Sequence, residues 1–84
     1  MLEEIKKRLS LTDTSNDDLI NSLILDVIEF CISAGVSRET MESAKAYGLI
    51  SRGVADLWNM GAGEGTFSDV FYKRLIQLQY EANK

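Results

Sequence analysis

The stretch from Leu19 to Ile32, LINSLILDVIEFCI, constrains the fold of this chain more than any other. On a helix, its polar side chains fall on one narrow stripe, which consists of Ser22, Asp26, Glu29 and Ser33. The other side chains are almost all apolar and cover roughly 240° of the helix surface, whereas a surface helix needs only about 100°. Such a helix requires packing partners on more than one side, so the sequence predicts a small all-α fold with surplus apolar surface.

Length and composition place the chain among small globular proteins. A chain of 84 residues has the size of one domain, so we expect a single helical domain over 1–84. Folding buries little more than about 60% of the surface of so short a chain, and self-association would therefore add stability. No apolar run reaches the roughly 18 residues of a membrane span, and the opening MLEEIKKRL lacks a signal-peptide core. We expect a cytosolic protein that makes no membrane contact.

The residue types that most enzymatic chemistry needs are scarce. The chain has no histidine and one cysteine, which removes most catalytic triads, zinc sites and intramolecular disulfides. Cys31 is interpreted as a core residue, since free cysteine is among the most buried residue types. Asp26 and Glu29 are the only acids within 19–32, and two carboxylates support acid–base catalysis only inside a cleft. We expect no enzyme activity, cofactor or metal, and assign these two acids to a solvated or interface stripe.

The charge balance argues against a surface built to bind DNA. The formal net charge is −4 and the pI is about 4.6, whereas DNA-binding domains normally carry a basic stripe. The one basic cluster is Lys6-Lys7-Arg8. We interpret it as the solvated face of a first helix, with a phosphate or partner patch as the alternative.

Hydrophobic periodicity and end signals predict a compact bundle of four helices, approximately 2–9, 16–33, 38–60 and 68–80. Short polar residues and the acids around Asp17 start the second helix, and Gly35 is expected to end it with a left-handed backbone. Ser68 is the expected N-cap of the last helix, with Phe67 and Tyr72 packing across it as a hydrophobic staple.

The Gly-rich segment 61–66, GAGEGT, is predicted to be the loop between the last two helices. Its glycines match neither the Walker pattern nor G-x-G-x-x-G, no strand precedes them, and no lysine follows as in G-K-[ST]. A nucleotide site in this segment is therefore not expected.

The predicted third helix has two distinct faces. The wet face, expected to point to solvent, is formed by Arg38, Glu42, Lys45, Arg52 and Asp56. A second face carries the small residues Ala44, Gly48, Ser51 and Ala55. Small side chains would let a second helix approach closely. Leu49 falls on the wet side and is therefore expected to be exposed or part of an interface. Gly48 and Gly53 each disfavour the helix by about 1 kcal/mol relative to alanine, so the helix is expected to break or bend near 48–53.

Six residues are the candidates for a protein interface: Leu49, Arg74, Tyr72, Tyr80, Asp26 and Glu29. The two tyrosines fit the core spacing less well than the other aromatics, of which Phe30, Trp58 and Phe71 are assigned to the core. Arg74 lies near the apolar arc of the last helix. It is interpreted as a surface arginine, with a buried or interfacial pairing to a carboxylate as the alternative.

The order of the segments resembles a known family. A short LEEIKKRL opening precedes an acid-capped DDLINSLI helix, a long helix ending VADLWN, a GAGEG turn and the helix FSDVFYKRLIQL. This order is similar to that of the small head–tail connector proteins of tailed bacteriophages and prophages, which are helical adaptors beneath the portal. The similarity spans nearly the whole chain and is most specific from Gly61 to Leu78. One departure is the connection 34–37, which is short and lacks the proline that family members often have.

The resemblance implies a structural protein without catalysis. Copies would assemble on the portal protein as a closed ring of about a dozen subunits, extend the DNA channel and dock head-closure or tail proteins. The chain would be found in the host cytoplasm during assembly and at the head–tail junction of the virion. DNA would pass without sequence-specific contact, and an acidic lining would let it slide because phosphate contacts are what hold DNA in place.

The alternative is a small helical DNA-binding or regulatory adaptor domain. Helix-turn-helix shapes are generic among small helical proteins, but the acidic balance of this chain disfavours the alternative. DNA binding that weakens with salt at physiological ionic strength would favour it.

Overall fold

The computed structural model describes residues 1–60 and 67–82, and within them the secondary structure is helical with no strand. The elements are α1 (Leu2–Arg8), α2 (Asp17–Ser33), α3 (Arg38–Glu42), a 3-10 turn (Ala44–Ala46), α4 (Tyr47–Met60) and α5 (Asp69–Ala82). The predicted all-α bundle is confirmed, and the radius of gyration of 12.3 Å is that of a compact fold. The loop predicted over 61–66 lies outside the described residues.

The predicted third helix over 38–60 is wrong in one respect, because the structure divides it. Ser43 adopts an extended backbone with φ −87° and ψ 163°, and its hydroxyl donates to the Thr40 carbonyl at 2.6 Å. This hydrogen bond replaces a helical one and ends α3, after which the chain makes a 3-10 turn and α4 begins at Tyr47. A break or bend was expected near 48–53, but the break lies earlier, and α4 is a single helix over Tyr47–Met60.

The structure also corrects two placements on that helix. Leu49 was expected on the wet side, but it is 3% exposed and belongs to the core. Asp56 was expected on the same wet side and is also buried. Leu49, Arg52 and Asp56 all lie within α4, so the break leaves their relative placement unchanged. Their side of α4 was expected to face solvent, but α5 packs against α4 and its cap Ser68 bonds Asp56.

The core lies where α1, α2 and α5 meet around α4, which contacts all three. Its largest fully buried side chains are Phe71, Ile5, Ile20, Met41, Ile50, Val27, Val36, Val54 and Cys31. Gly53 of α4 sits at the closest approach, since a Cβ there would lie 2.8 Å from both Phe71 Cε2 of α5 and Val27 Cγ2 of α2. The absence of a side chain at Gly53 allows α2 and α5 to pack against one point of α4.

Local signals fix the ends of the helices. The predicted left-handed cap at Gly35 is confirmed, with φ 101° and with the Val36 amide donating to the Cys31 carbonyl at 3.1 Å. The same arrangement ends α1, where Ser10 takes the left-handed position with φ 58°. The predicted cap at Ser68 is also confirmed, because its hydroxyl accepts from the Phe71 amide at 3.2 Å.

The basic cluster predicted to be solvated is divided by the fold. Lys6 is buried, and its Nζ lies 2.7 Å from Asp17 Oδ1 at the start of α2. This ion pair joins the first two helices. Lys7 and Arg8 remain exposed.

Candidate protein interface

The apolar stretch of α2 is only partly covered by the rest of the chain. One side packs into the core through Ile20, Ile24, Val27, Ile28 and Cys31. On the two flanks of the polar stripe, however, Leu19, Leu25 and Phe30 stay exposed, with Leu25 58% exposed. The predicted surplus of apolar surface on this helix is therefore confirmed.

A second exposed apolar surface runs along α5. Tyr72, Ile76 and Tyr80 follow one another every fourth residue, and Ile76 is 62% exposed. We call these three side chains the α5 stripe. Tyr72 and Tyr80 were predicted to be exposed interface candidates, and both are exposed. Ile76 was not among the six candidates, although its four-residue spacing from both tyrosines was a readable signal.

Aromatic contacts join these two surfaces. The Phe67 and Phe71 rings stack with centroids 4.0 Å apart, while Phe30 of α2 lies 5.0 Å from Phe67 and 6.4 Å from Tyr72. The predicted staple is confirmed, since Phe67 and Tyr72 meet edge to face at 6.3 Å. Because Phe30 and Tyr72 are both partly exposed, the flank of α2 that carries Phe30 continues onto the α5 stripe.

Two of the three aromatic core assignments are wrong. Phe71 is fully buried as predicted, but Phe30 and Trp58 are 37% and 39% exposed. Helical spacing identifies the side that a residue occupies, but not how far the neighbouring helix extends over it. Phe30 and Trp58 lie at the edges of the covered region.

The two acids of α2 do not form a catalytic pair in a cleft. Asp26 and Glu29 are both exposed, and Glu29 Oε1 accepts from Arg38 Nη2 at 2.7 Å. This hydrogen bond is the main cause that raises the pKa of the Arg38 guanidinium. Asp26 makes no ion pair with any described residue. The arrangement fits the predicted solvated or interface stripe.

Arg74 lines an open groove on the outer side of α4. The groove has a volume of about 320 Å³, and its charged lining consists of Arg8, Arg52 and Arg74. Its floor is formed by Gly48, Ser51 and Ala55, three of the small residues noted in the sequence. Arg74 is exposed, and its Nη1 lies 3.0 Å from the point where a Cβ on Gly48 would stand.

Asp56 anchors this side of the bundle and was missed by the sequence analysis. Its Oδ1 lies 2.9 Å from Arg52 Nη2, and its Oδ2 accepts from the Ser68 amide at 2.9 Å and the Ser68 hydroxyl at 2.8 Å. The four-residue spacing of Arg52 and Asp56 was a readable signal for the ion pair. The contact with Ser68 depends on tertiary packing and had none.

The thiol of Cys31 lies inside the core and is poorly placed for chemistry. Cys31 is fully buried as predicted, and burial raises the pKa of its thiol to about 11, which keeps it protonated and poorly nucleophilic. Over residues 1–60 and 67–82, no helix combines the length and the hydropathy that crossing a bilayer requires.

Comparison with known proteins gives no assignment: no family model matches the chain, and neither a curated protein nor a solved structure shows a significant match.

Proposed function

We propose that this chain is a non-catalytic structural subunit that assembles with copies of itself as a head–tail connector of a tailed bacteriophage or prophage. The observation that carries the proposal is the exposed apolar surface on both flanks of the polar stripe of α2 and along the α5 stripe, with Phe30 and Tyr72 joining one flank to the α5 stripe. Monomeric proteins rarely leave large contiguous apolar patches open, and such patches commonly mark protein interfaces. The resemblance of the segment order to connector proteins supplies the particular assembly.

The size of the exposed surface sets how strongly copies associate. Burying a leucine or isoleucine completely contributes about 1.5–3 kcal/mol, so covering the exposed half of Leu25 or Ile76 contributes roughly 1 kcal/mol each. Association itself costs about 4–15 kcal/mol. Several such side chains must therefore be covered together, and we expect weak self-association in isolation and much stronger assembly on a partner platform.

The platform in this proposal is the portal protein. A ring of about a dozen copies seated on it has closed symmetry, in which each subunit uses two different surfaces. The opposite end of the ring receives a head-closure or tail protein. With a net charge of −4, the ring lets DNA pass without holding its phosphates. The protein is then located in the host cytoplasm during assembly and in the virion at the head–tail junction.

Sedimentation velocity across a wide concentration range, with and without a portal protein of a tailed phage, tests the proposal. We expect larger species at high concentration and ring-sized complexes with the portal protein, both weakened by Leu25→Gln and Ile76→Gln. Val70→Gln is the matched control, since Val70 is an exposed apolar residue of α5 outside the α5 stripe.

Two results would overturn the proposal. One is a chain that stays monomeric at every concentration and does not respond to the portal protein. The other is DNA binding at physiological salt that weakens as salt rises, because it would favour the DNA-binding or regulatory adaptor instead.

A further inference from the structure

The groove on α4 that is lined by Arg8, Arg52 and Arg74, called here the arginine groove, concentrates positive charge in an acidic protein. Three of the four arginines in the sequence line it, whereas the chain as a whole has a net charge of −4. Arg52 is neutralised by Asp56 at 2.9 Å. Arg8 and Arg74 make no ion pair with any residue that the structure describes. Two guanidinium charges in the groove are therefore uncompensated by its own walls.

The groove is shaped to admit a helix. Its floor of Gly48, Ser51 and Ala55 carries almost no side-chain bulk, so the axis of a second helix can come close to α4. Arg74 of α5 and Arg8 at the end of α1 line the groove, and Arg74 Nη1 lies over Gly48, 3.0 Å from where its Cβ would stand, which leaves Ser51 and Ala55 as the open part of the floor. Next to the groove, Arg74 also borders a smaller hollow that contains Lys45 and Glu81.

The polar stripe of α2 has the complementary charge, and Asp18 extends it by one turn toward the start of the helix. Asp18, Asp26 and Glu29 are exposed and share one side of the helix, since their spacings are eight and three residues. Asp18 and Asp26 make no ion pair within the described part of the chain. Leu25, exposed beside this stripe, would add apolar contact to any helix groove that receives it.

The groove and the stripe lie on opposite sides of the subunit. Val27 of α2 packs on α4 at Gly53, and Gly48 and Ala55 are roughly 140° and 160° around the helix from that point at 100° per residue. The stripe of α2 likewise lies opposite the face of α2 that is buried. A contact between them therefore cannot form within one chain. Between chains it is head-to-tail, the type of contact that forms a ring when its rotation closes.

We propose that the arginine groove of one copy receives the polar stripe of α2, extended by Asp18, from a second copy. The inference rests on the proposed self-assembly and names the surfaces that carry it. Arg8 and Arg74 meet the carboxylates of Asp18 and Asp26, and Leu25 packs on the small-residue floor. Charge pairs at such a contact set its register and exclude other arrangements, while the apolar side chains supply much of the affinity.

A mixing experiment with two charge-reversed proteins tests this pairing. The groove variant carries Arg8→Glu and Arg74→Glu, so its groove repels the polar stripe of another copy of the same variant. The stripe variant carries Asp18→Lys and Asp26→Lys, so its stripe repels the groove of another copy of the same variant. In an equimolar mixture, each groove meets a stripe of opposite charge. Far-UV circular dichroism and thermal melting establish that both variants are folded before sedimentation is measured.

We expect each variant alone to associate at least about tenfold more weakly than the native chain, and the mixture to recover most of that loss. Lys73→Glu and Glu39→Lys are matched controls, because both residues are exposed and lie outside the groove and the stripe. These controls should leave association unchanged. Native association should also weaken as salt rises, since the pairs lie at an accessible surface.

The outcomes separate this inference from the proposed function. If the native chain assembles but the two variants assemble equally well, or the mixture does not recover, the inference is overturned while self-assembly stands. If neither the native chain nor the mixture assembles, with or without the portal protein, both are overturned. If the groove variant loses DNA binding while its assembly is unchanged, the groove is a phosphate site and the inference is again overturned.

Discussion

Asp56 of α4 accepts two hydrogen bonds from Ser68, one from its amide at 2.9 Å and one from its hydroxyl at 2.8 Å. The carboxylate thereby fixes the residue that caps α5, and Arg52 balances its charge. The start of α5 in turn positions Phe67 and Tyr72 against Phe30. A buried side chain on α4 thus determines where the α5 stripe meets the apolar flank of α2.

Replacing Asp56 should destabilise the fold strongly. Asp56→Ala leaves the Ser68 amide without its acceptor and Arg52 without its counter-charge, so we expect a loss of about 2–4 kcal/mol in the free energy of unfolding. Asp56→Asn keeps an acceptor oxygen and should lose about 1–2 kcal/mol. Urea unfolding followed by circular dichroism measures both.

The exposed carboxylate of Asp26 provides the control for this series. Asp26→Asn should change the free energy of unfolding by less than about 0.5 kcal/mol, because exposed substitutions away from special features have small effects. An Asp56→Ala protein as stable as Asp26→Asn would contradict the anchoring role of Asp56.

Two helix ends with the same backbone geometry use different residues in the left-handed position. Substituting each residue by the other type should change the free energy of unfolding in opposite directions. Gly35 suits the left-handed position, whereas Ser10 occupies it at φ 58° with a Cβ that disfavours it. We expect Ser10→Gly to raise the free energy of unfolding by up to about 1 kcal/mol and Gly35→Ser to lower it by a similar amount. Urea midpoints at constant m-value measure the difference, and a change of the same sign in both proteins would refute this explanation.

The two glycines of α4 should respond differently to alanine. A Cβ at Gly53 would lie 2.8 Å from Val27 and from Phe71, so Gly53→Ala must displace core side chains, at a cost of about 1–3 kcal/mol. A Cβ at Gly48 meets only the flexible end of Arg74 at 3.0 Å. Gly48→Ala should therefore stabilise the fold by up to about 1 kcal/mol through helix propensity.

Thermal unfolding of the two alanine variants side by side checks this contrast. Equal changes in midpoint would mean that helix propensity alone decides both positions. A Gly53→Ala protein more stable than the native chain would show that α2 and α5 do not converge on Gly53.

The sequence was sufficient where short-range chemistry decides the structure. Gly35, Ser68 and the Phe67–Tyr72 staple were predicted from turn and cap chemistry within a few residues, and the predicted ends of α1, α2 and α5 agree within two residues. The exposed apolar flank of α2 was predicted because 240° of apolar surface, roughly, exceeds what three neighbouring helices cover.

The sequence was insufficient where long-range packing decides. The break at Ser43 includes a side-chain hydrogen bond to the Thr40 carbonyl, and the burial of Leu49 and Asp56 depends on the packing of α5 against α4. For the candidate interface, Tyr72 and Tyr80 were predicted. Arg8 was named only within a cluster interpreted as solvated or, alternatively, as a partner patch, and its place in the groove needed the packing of α1 beside α4. Residues that meet across helices leave no periodic signal in one sequence.

Cys31 should make the fold sensitive to alkaline pH. Burial raises its thiol pKa from 9.0 to about 11, so the folded chain keeps a proton that the unfolded chain releases within this range. Because the unfolded state then binds fewer protons, the stabilisation is complete below pH 9 and is lost as pH rises toward 11. The expected loss is roughly 2–3 kcal/mol.

Cys31→Ala isolates this effect from the titration of lysines and tyrosines, which both proteins share. The variant should be less stable at neutral pH because it leaves a small cavity at a fully buried position. As pH rises, the native chain should lose stability faster, so the gap between the two proteins should narrow by roughly 2 kcal/mol between pH 9 and 11. Urea unfolding at fixed pH steps and low protein concentration measures that gap. Parallel pH profiles would mean that the thiol ionises as readily in the fold as in the unfolded chain, which its complete burial beside Val27 and Ile28 in the core does not allow.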